Sequence, residues 1–355
     1  IYAGQASIKK RVDIQAYIYL GIGVFSVILM SIIGVRLSRC ITQPLELLRT
    51  GALAIGAGNL DTRIDVKTGD ELEELADTFN DMSVSLKTNI ADIKRNLEEE
   101  ERLKQDLKIA ADIQRSLLPN RFPAFPERRE FDLYALMNPA QEVGGDFYDF
   151  KFVSKNKLYF CVADVSGKGI SAAMFMARTR MLMRFEASAG SPPDKMLLNV
   201  NNELERTNSA CMFATVFCAI LDVVSGELQY ASAGHNPPLL KRHDGGYEYM
   251  EVHRALAIGP MVQTADTYVN QKLKMMPGDQ LFIYTDGIVE AENPEFQQFT
   301  EGRLKDVLNA GCDAWPQPLS QAVIEQVEKF ADGAPQSDDI TILSIKYTGT
   351  GNSNA

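Results

Sequence analysis

Aspartates recur at the ends of short apolar runs in the second half of this chain of 355 residues. Asp164 lies at the end of KLYFCVADV, and Asp286 follows DQLFIYT. Asp338 and Asp339 precede ITILSIKY, while Asp146 lies in VGGDFYD. Nearby Gly and Ser residues let the chain turn sharply and let the backbone approach an ion. One aspartate at a strand end usually forms a turn or a helix cap, but this repetition predicts a convergent cluster of carboxylates.

Such a cluster has a specific chemistry. Carboxylates that share one rim repel each other and raise each other's pKa unless cations neutralise them. Ligands that are all oxygen suit Mg²⁺ or Mn²⁺ rather than zinc or copper. Two such ions a few ångströms apart activate a water and neutralise a phosphoryl group. The residues alone therefore predict metal-dependent phosphoryl hydrolysis or transfer.

The elements that would position these aspartates are predicted from apolar runs across residues 131–347. Strands are expected at FDLYALM, KLYFCVADV, CMFATVFCAILDV, LQYASAG, DQLFIYTDG and ITILSIKY. Helices are expected near residues 171–187, 194–206 and 317–331. This alternation predicts a mixed domain of helices and strands.

Composition excludes several classes of protein. The chain has 36 Lys and Arg against 47 Asp and Glu, a net charge of -11, which argues against nucleic-acid binding. Its 5 cysteines form no CxxC pair, so spacing offers no zinc site. No histidine lies between residues 36 and 234, so the predicted helices there lack the phosphoacceptor of a histidine kinase. Gly144-Gly145-Asp146-Phe147 lacks the second acidic residue of the GGDEF box of diguanylate cyclases.

A long uncharged segment precedes these elements. Residues 14–35 carry no charge, and a helix of that length, at about 1.5 Å per residue, crosses roughly 30 Å of hydrocarbon. This predicts a transmembrane helix; the alternatives are a buried core helix and a signal peptide. Residue 1 is Ile, so residues 1–13 are expected to be the end of a missing upstream, sensory region.

Two amphipathic series follow the uncharged segment. The first has Pro44 near its start, and the second runs in steps of 3 and 4 from Leu72 to Leu97. The connector between them carries two apolar anchors, Leu60 and Ile64. Residues 36–88 thereby resemble a HAMP domain. The spacing itself predicts a pair of coiled-coil helices and a parallel homodimer.

Residues 89–118 are predicted to be a coiled-coil linker. The apolar seam is interrupted at Glu100 and resumes out of phase at Leu103, Leu107 and Leu117. The interruption is either a solvated acidic patch or a locally weakened part of the coiled coil. In the second case, it is where a signal would shift the balance between two conformations of the linker. Pro119 ends the helix, and a flexible tail is expected at residues 348–355.

Six ordered motifs resemble one family. They are AADIQRSLLP, VGGDFYDF, VADVSGKGISAAMFMA, SAGHNPPLL, YTDGIVEA and SDDITIL. They resemble the bacterial SpoIIE/RsbU-type serine/threonine phosphatases of the metal-dependent PPM superfamily, across about residues 110–347. The resemblance implies an α+β fold over residues 119–347, an α-β-β-α sandwich of two antiparallel sheets flanked by helices.

The resemblance also implies roles for residues. It implies that two Mn²⁺ or Mg²⁺ ions are held by the Val165 carbonyl and by the carboxylates of Asp146, Asp164, Asp286, Asp338 and Asp339. Asp164 would bridge both ions, and whether Asp338 or Asp339 is the direct ligand stays open. No histidine matches a general acid, and His235 is expected to be a turn residue. Lys168 is a candidate for phosphate binding; the alternative is a solvated loop lysine.

By this resemblance the protein is expected to be a membrane-anchored phosphatase with its catalytic domain in the cytoplasm. Its substrate would be phosphoserine or phosphothreonine on a STAS-type anti-sigma-factor antagonist, opposed by an anti-sigma-like kinase. The alternative is a non-catalytic phosphatase-like receptor that binds a partner. Gly167 and Gly169 join Asp164 to the predicted helix 171–187, whose rotation would move the Val165 carbonyl under pressure from residues 103–118.

Overall fold

The computed structural model describes residues 2–311 and 313–349, with side chains from residue 14 onward. The chain divides into two compact units between Leu103 and Lys104, here named the N-terminal unit and the sandwich unit. The last turns of the predicted linker therefore belong to the sandwich unit. The predicted tail lies outside the described residues from position 350 onward.

The N-terminal unit begins with helical segments that follow one another without a break. They are α1 (Tyr2–Leu37), a π-helical turn (Ser38–Thr42) and α2 (Gln43–Gly56). Gln43 N–H donates to the Ser38 carbonyl five residues back, and Pro44, which has no N–H to donate, follows in the first turn of α2. Within Ile14–Gly56, an 18-residue window has a mean hydropathy of 2.4 and none of it is buried, so by length and composition this stretch could cross a membrane.

A small core joins α2 to the connector and to the next helix, α3 (Glu71–Leu117). The core consists of Leu48, Ile55, Ile64, Val66 and Ala76. Asn80 fixes the predicted anchor Ile64, because its amide donates to the Ile64 carbonyl at 3.0 Å and accepts the Ile64 N–H at 2.9 Å. α3 starts where Asp70 accepts the Leu72 N–H at 3.1 Å, as an N-cap residue does.

Beyond this core, α3 has an exposed apolar row within the single chain. Its exposed members are Leu75, Met82, Leu86, Ile90, Ile93 and Leu97. Leu72 and Phe79 of the same series pack partly against the small core. The predicted 3-and-4 series is therefore helical, and most of it faces away from its own chain.

The sandwich unit contains two antiparallel five-stranded sheets. Sheet A has the order β1 (Phe131–Asn138), β10 (Ile340–Tyr347), β9 (Gln280–Tyr284), β6 (Leu239–Lys241) and β7 (Tyr247–Tyr249). Sheet B has the order β2 (Phe147–Phe152), β3 (Lys157–Val165), β4 (Ala214–Asp222), β5 (Glu227–Ala233) and β8 (Gln271–Lys274).

Helices cover the outer faces of both sheets. α4 (Ile170–Ala189) and α5 (Pro193–Glu205) pack on sheet B, while α6 (Thr300–Ala310) and α7 (Pro316–Ala331) pack on sheet A. The predicted α-β-β-α sandwich is confirmed. Strands β2, β6, β7 and β8 and helix α6 were not among the predicted elements.

Candidate active site

The aspartates predicted from the sequence meet at one end of the sandwich. Asp164 is the next-to-last residue of β3, and Asp146 directly precedes β2, its neighbour in sheet B. Asp286 lies two residues after β9, and Asp338 and Asp339 directly precede β10, the neighbour of β9 in sheet A. Each sheet thus contributes carboxylates to one shared rim.

Asp146 is the most enclosed of these carboxylates. Its side chain is buried, and the Thr285 hydroxyl donates to Asp146 Oδ2 at 2.7 Å, which ties the β2 side of the rim to the end of β9. Burial raises the pKa of Asp146 well above its ordinary value, and the negative charge of Asp164 adds to the increase. A buried carboxylate in this setting gains stability from a nearby cation.

The pKa values of Asp164 and Asp286 are raised for the same two reasons, burial and the charge of a neighbouring carboxylate. Burial raises the pKa of Asp164 to about 7, and the charge of Asp286 contributes next. Burial also raises the pKa of Asp286, followed by the charge of Asp338. These linked increases arise because several carboxylates share a poorly hydrated rim.

Asp339 uses its carboxylate on the backbone of the loop that carries Asp146. Its Oδ1 accepts the Ala140 N–H at 2.8 Å, and its Oδ2 accepts the N–H groups of Gly145 at 2.6 Å and Asp146 at 3.3 Å. A Cβ on Gly144 would lie 2.5 Å from Asp339 Oδ2, so this close approach requires glycine. Asp339 therefore positions residues 140–146.

Asp338 faces a different environment. Its side chain is 40% exposed, and Lys168 Nζ lies 3.4 Å from Asp338 Oδ2. Lys168 also donates to the Ser337 carbonyl. Of the two adjacent aspartates, Asp338 thus has the carboxylate that is free of backbone amide contacts from the 140–146 loop.

Three glycines shape the rim around the Val165 carbonyl. A Cβ on Gly145 would lie 2.8 Å from the Val165 oxygen, so glycine lets the two loops approach closely. Gly167 and Gly169 have positive φ values of 85° and 76°, a conformation that other residues rarely adopt. They form the connection from β3 to α4 at which the sequence predicted a switch.

A contact that the sequence analysis missed joins the end of α3 to the same loop. Gln114 is 7% exposed, and its amide donates to the Gly144 carbonyl at 2.5 Å and accepts the Gly144 N–H at 3.0 Å. Ala111 and Leu118 are buried on the same side of the helix. We call this pair of hydrogen bonds the Gln114 clamp.

The predicted regulatory residues of α3 lie elsewhere. Leu117 is 38% exposed, Leu107 is half-buried, and Glu100 is exposed and belongs to the N-terminal unit. Gln114 is therefore the residue of this helix that hydrogen-bonds the loop carrying Asp146, while the regulatory roles of Glu100, Leu107 and Leu117 stay predictions. In the sequence, the only indication of this contact is a polar residue on the buried face of the helix.

His235 follows β5 next to the rim. It is 5% exposed, and its Nδ1 lies 2.9 Å from the hydroxyl of Thr215, the residue opposite Asp164 in the β3–β4 register. Burial lowers the pKa of His235 to about 4, so the ring is neutral near neutral pH. Its Nε2 has no hydrogen-bond partner among the described residues.

The donor set fits a hard divalent cation. Its candidates are carboxylate oxygens and one backbone carbonyl, and no thiolate or imidazole is required among them. Among the described residues, no three His, Cys, Asp or Glu side chains are already arranged as a formed set of metal ligands. The fit therefore rests on donor chemistry and on the raised pKa values of the aspartates.

Comparison with known families agrees with this geometry. The family model of stage II sporulation protein E (SpoIIE) matches residues 154–348, more than half of the chain. The model of the HAMP domain matches residues 36–88.

Individual proteins are similar over longer stretches. Protein IcfG of Synechocystis is 30% identical over 337 residues, 86% of this chain but 51% of IcfG, so the chain spans about half the length of that relative. Phosphoserine phosphatase RsbU of Bacillus subtilis is 29% identical over 254 residues, 70% of this chain and 71% of RsbU. The SiaA-PP2C domain of Pseudomonas aeruginosa superposes with a TM-score of 0.62 at 22% identity, covering 70% of this chain and 98% of that domain, which shows a shared fold.

Proposed function

This chain is a phosphatase of the SpoIIE family with a HAMP domain, and we propose that it hydrolyses phosphoserine or phosphothreonine on a cytosolic regulator protein. The observation that carries the proposal is the meeting of five aspartates at one rim, with raised pKa values at Asp146, Asp164 and Asp286. The similarity to RsbU, a phosphoserine phosphatase, supports phosphoserine as substrate.

Two Mn²⁺ or Mg²⁺ ions would occupy the rim. Asp146, Asp164, Asp286 and Asp338 would hold them together with the Val165 carbonyl. When bound, the ions would supply a nucleophilic water and neutralise the phosphoryl charge. The carboxylates would then keep their negative charge near neutral pH without mutual repulsion.

Other residues of the chain would orient the ligands. Asp339 holds the backbone of the loop that carries Asp146, and Thr285 holds the Asp146 carboxylate by a hydrogen bond. Lys168, beside Asp338, would contact the anionic substrate. His235 stays neutral because it is buried, so it does not contribute a cationic acid.

The proposed substrate protein is a phosphorylated STAS-type antagonist of an anti-sigma factor. An anti-sigma-like kinase would add the phosphate that this phosphatase removes. The reaction would be a direct in-line attack by water, with no phosphoenzyme intermediate. The similarity to RsbU, a phosphoserine phosphatase, supports a phosphorylated serine as the reacting group on this partner.

The N-terminal unit would anchor and pair the chains. The exposed apolar stretch of α1 would span the bacterial inner membrane, with the sandwich unit in the cytoplasm. The exposed row Leu75, Met82, Leu86, Ile90, Ile93 and Leu97 would be covered by the same row of a second, parallel chain. The homodimer would thus form through the HAMP domain and the linker helices.

Hydrolysis of p-nitrophenyl phosphate by the full chain in detergent tests the proposal. We expect turnover with Mn²⁺ or Mg²⁺, its loss in EDTA, and its recovery when metal is restored. A folded protein that binds Mn²⁺ without any turnover would instead support the non-catalytic receptor.

A further inference from the structure

A cleft opens between the two sheets of the sandwich unit, beside the aspartate rim. Its volume is about 940 Å³, and its lining includes His235 after β5, Tyr249 of β7, Gln271 of β8 and Glu301 of α6. β7 and β8 are the outermost strands of sheets A and B. The cleft therefore lies along the open side of the sandwich, where neither strand has a further neighbour in its sheet.

His235 links this cleft to the rim. His235 lines the cleft and contacts Thr215 at 2.9 Å, and Thr215 is the register partner of Asp164. Directly opposite residues of an antiparallel pair have Cα atoms about 5 Å apart. The near end of the cleft is thus roughly 10 Å from Asp164, about three or four residues of extended chain.

An irregular backbone segment of the chain runs along the cleft. It lies between His253, whose N–H donates to the Gln271 side chain at 2.7 Å, and Ile258, which exchanges hydrogen bonds with Ala214. Between them, the N–H groups of Arg254, Ala255 and Leu256 donate to no group in the part of the chain that the structure describes. Because neighbouring amides of an extended segment point to opposite sides, only alternate ones pair with one added chain, here those of Arg254 and Leu256 or that of Ala255.

The charges of the cleft favour a polypeptide over a small anion. Arg254 lines the cleft, is exposed, and forms no ion pair with any described residue. Glu251, Glu301 and the half-exposed Val269 line the same cleft, so it offers both signs of charge and apolar surface.

The overall charge makes Arg254 important for an anionic substrate. The chain has a net charge of -11, which repels a phosphorylated protein at long range. Lys168 at the rim is already paired with Asp338, whereas Arg254 is available to a bidentate anion such as a phosphate or carboxylate.

We propose that this cleft binds the extended polypeptide segment that carries the phosphorylated residue of the substrate protein, an inference that rests on the function proposed above. The segment pairs with the backbone of residues 254–256. Arg254 contacts an acidic group of the segment, and three or four residues further along, the phosphorylated side chain reaches the aspartate rim.

Peptide length tests the proposal with the full chain and Mn²⁺. Peptides of about 3, 7 and 13 residues with a central phosphoserine are compared, because only the longer ones reach from rim to cleft. We expect kcat/KM to increase about tenfold or more from the shortest to the longest peptide, mainly through a lower KM. In Arg254→Gln this length dependence should shrink to about twofold, whereas Arg121→Gln, a change at an exposed arginine that does not line the cleft, should retain it.

Backbone N-methylation of the longest peptide provides a second measurement that needs no protein variant. Methylation at alternate residues removes peptide N–H donors and places methyl groups on the edge that would lie against residues 254–256, so kcat/KM should fall to the value of the shortest peptide. Equal kcat/KM for all lengths, or a full length dependence in Arg254→Gln, would overturn the cleft assignment. Turnover of p-nitrophenyl phosphate but of no peptide would also overturn it, while loss of all turnover in the parent protein would reject the proposed function itself.

Discussion

From the Gln114 clamp we predict how much the last turns of α3 stabilise the loop that carries Asp146. Gln114→Leu removes both hydrogen bonds to Gly144, while Gln114→Glu keeps an acceptor for the Gly144 N–H and loses the donor to its carbonyl. Each hydrogen bond contributes about 0.5–1.5 kcal/mol net, and each backbone group left buried without a partner costs about 1–3 kcal/mol. We therefore expect Gln114→Leu to destabilise the 143–146 loop by about 2–4 kcal/mol, and Gln114→Glu by at least as much, because a buried carboxylate would face the Gly144 carbonyl oxygen.

Because this loop carries Asp146, its destabilisation should weaken metal binding. At about tenfold per 1.4 kcal/mol, the Mn²⁺ concentration for half-maximal activity should increase by about ten- to a hundredfold in Gln114→Leu, since part of the cost is relieved by relaxation of the loop. Gln114→Glu should require at least as high a Mn²⁺ concentration as Gln114→Leu.

The assay is p-nitrophenyl phosphate hydrolysis titrated with Mn²⁺ at fixed pH. Ser116→Ala is the matched control, because Ser116 is exposed on the same helix and its hydroxyl only donates to the Ile113 carbonyl. If Gln114→Leu required the same Mn²⁺ concentration as the control, the Gln114 clamp would not support the rim.

Two further predictions concern stability and assembly. Burial lowers the pKa of His235 from 6.5 to about 4, so its contribution to stability is complete above pH 6.5 and is lost as the pH falls toward 4. In urea titrations, the difference in unfolding free energy between the parent and His235→Asn should therefore decrease by about 2 kcal/mol from roughly pH 7 to pH 5. A difference that stays constant over this range would contradict a buried, neutral His235 ring. Replacing Leu86 and Ile90 with Glu should convert a dimer into monomers in sedimentation velocity, because charges would enter the proposed seam. A parent protein that is already monomeric at micromolar concentration would refute the parallel pairing.

The aspartate rim could be predicted because most of its residues flank long apolar strands. β3, β4, β9 and β10 are almost continuous apolar runs, so the turn residues at their ends stand out in the sequence. β2 was missed because Asp149 and Lys151 interrupt its pattern. Asp149 is nevertheless buried, since Arg180 and Arg184 on α4 lie 3.2 Å and 2.7 Å from its Oδ1, partners that are more than thirty residues away in the sequence.

The other missed features depend on contacts that local patterns do not record. β6 and β7 have only 3 residues each, too few to show an alternation. From the sequence, Gln114 is expected to be a solvent-facing helix residue, because its hydrogen-bond partner Gly144 belongs to a different segment of the chain. Asp338 and Asp339 are chemically identical in sequence, and only the backbone amides around Asp339 distinguish them.

If the aspartate rim is a two-metal hydrolytic site, Asp164 should be needed both for Mn²⁺ binding and for turnover. Measuring both quantities for Asp164→Asn tests this. Calorimetric titration of the full chain with Mn²⁺ is combined with phosphate release from a phosphoserine protein, for the parent and for this nearly isosteric variant. We expect two Mn²⁺ ions per parent chain, and in Asp164→Asn weaker Mn²⁺ binding together with loss of turnover while the circular dichroism is unchanged. Turnover in Asp164→Asn equal to that of the parent would show that the aspartate rim is not the hydrolytic site.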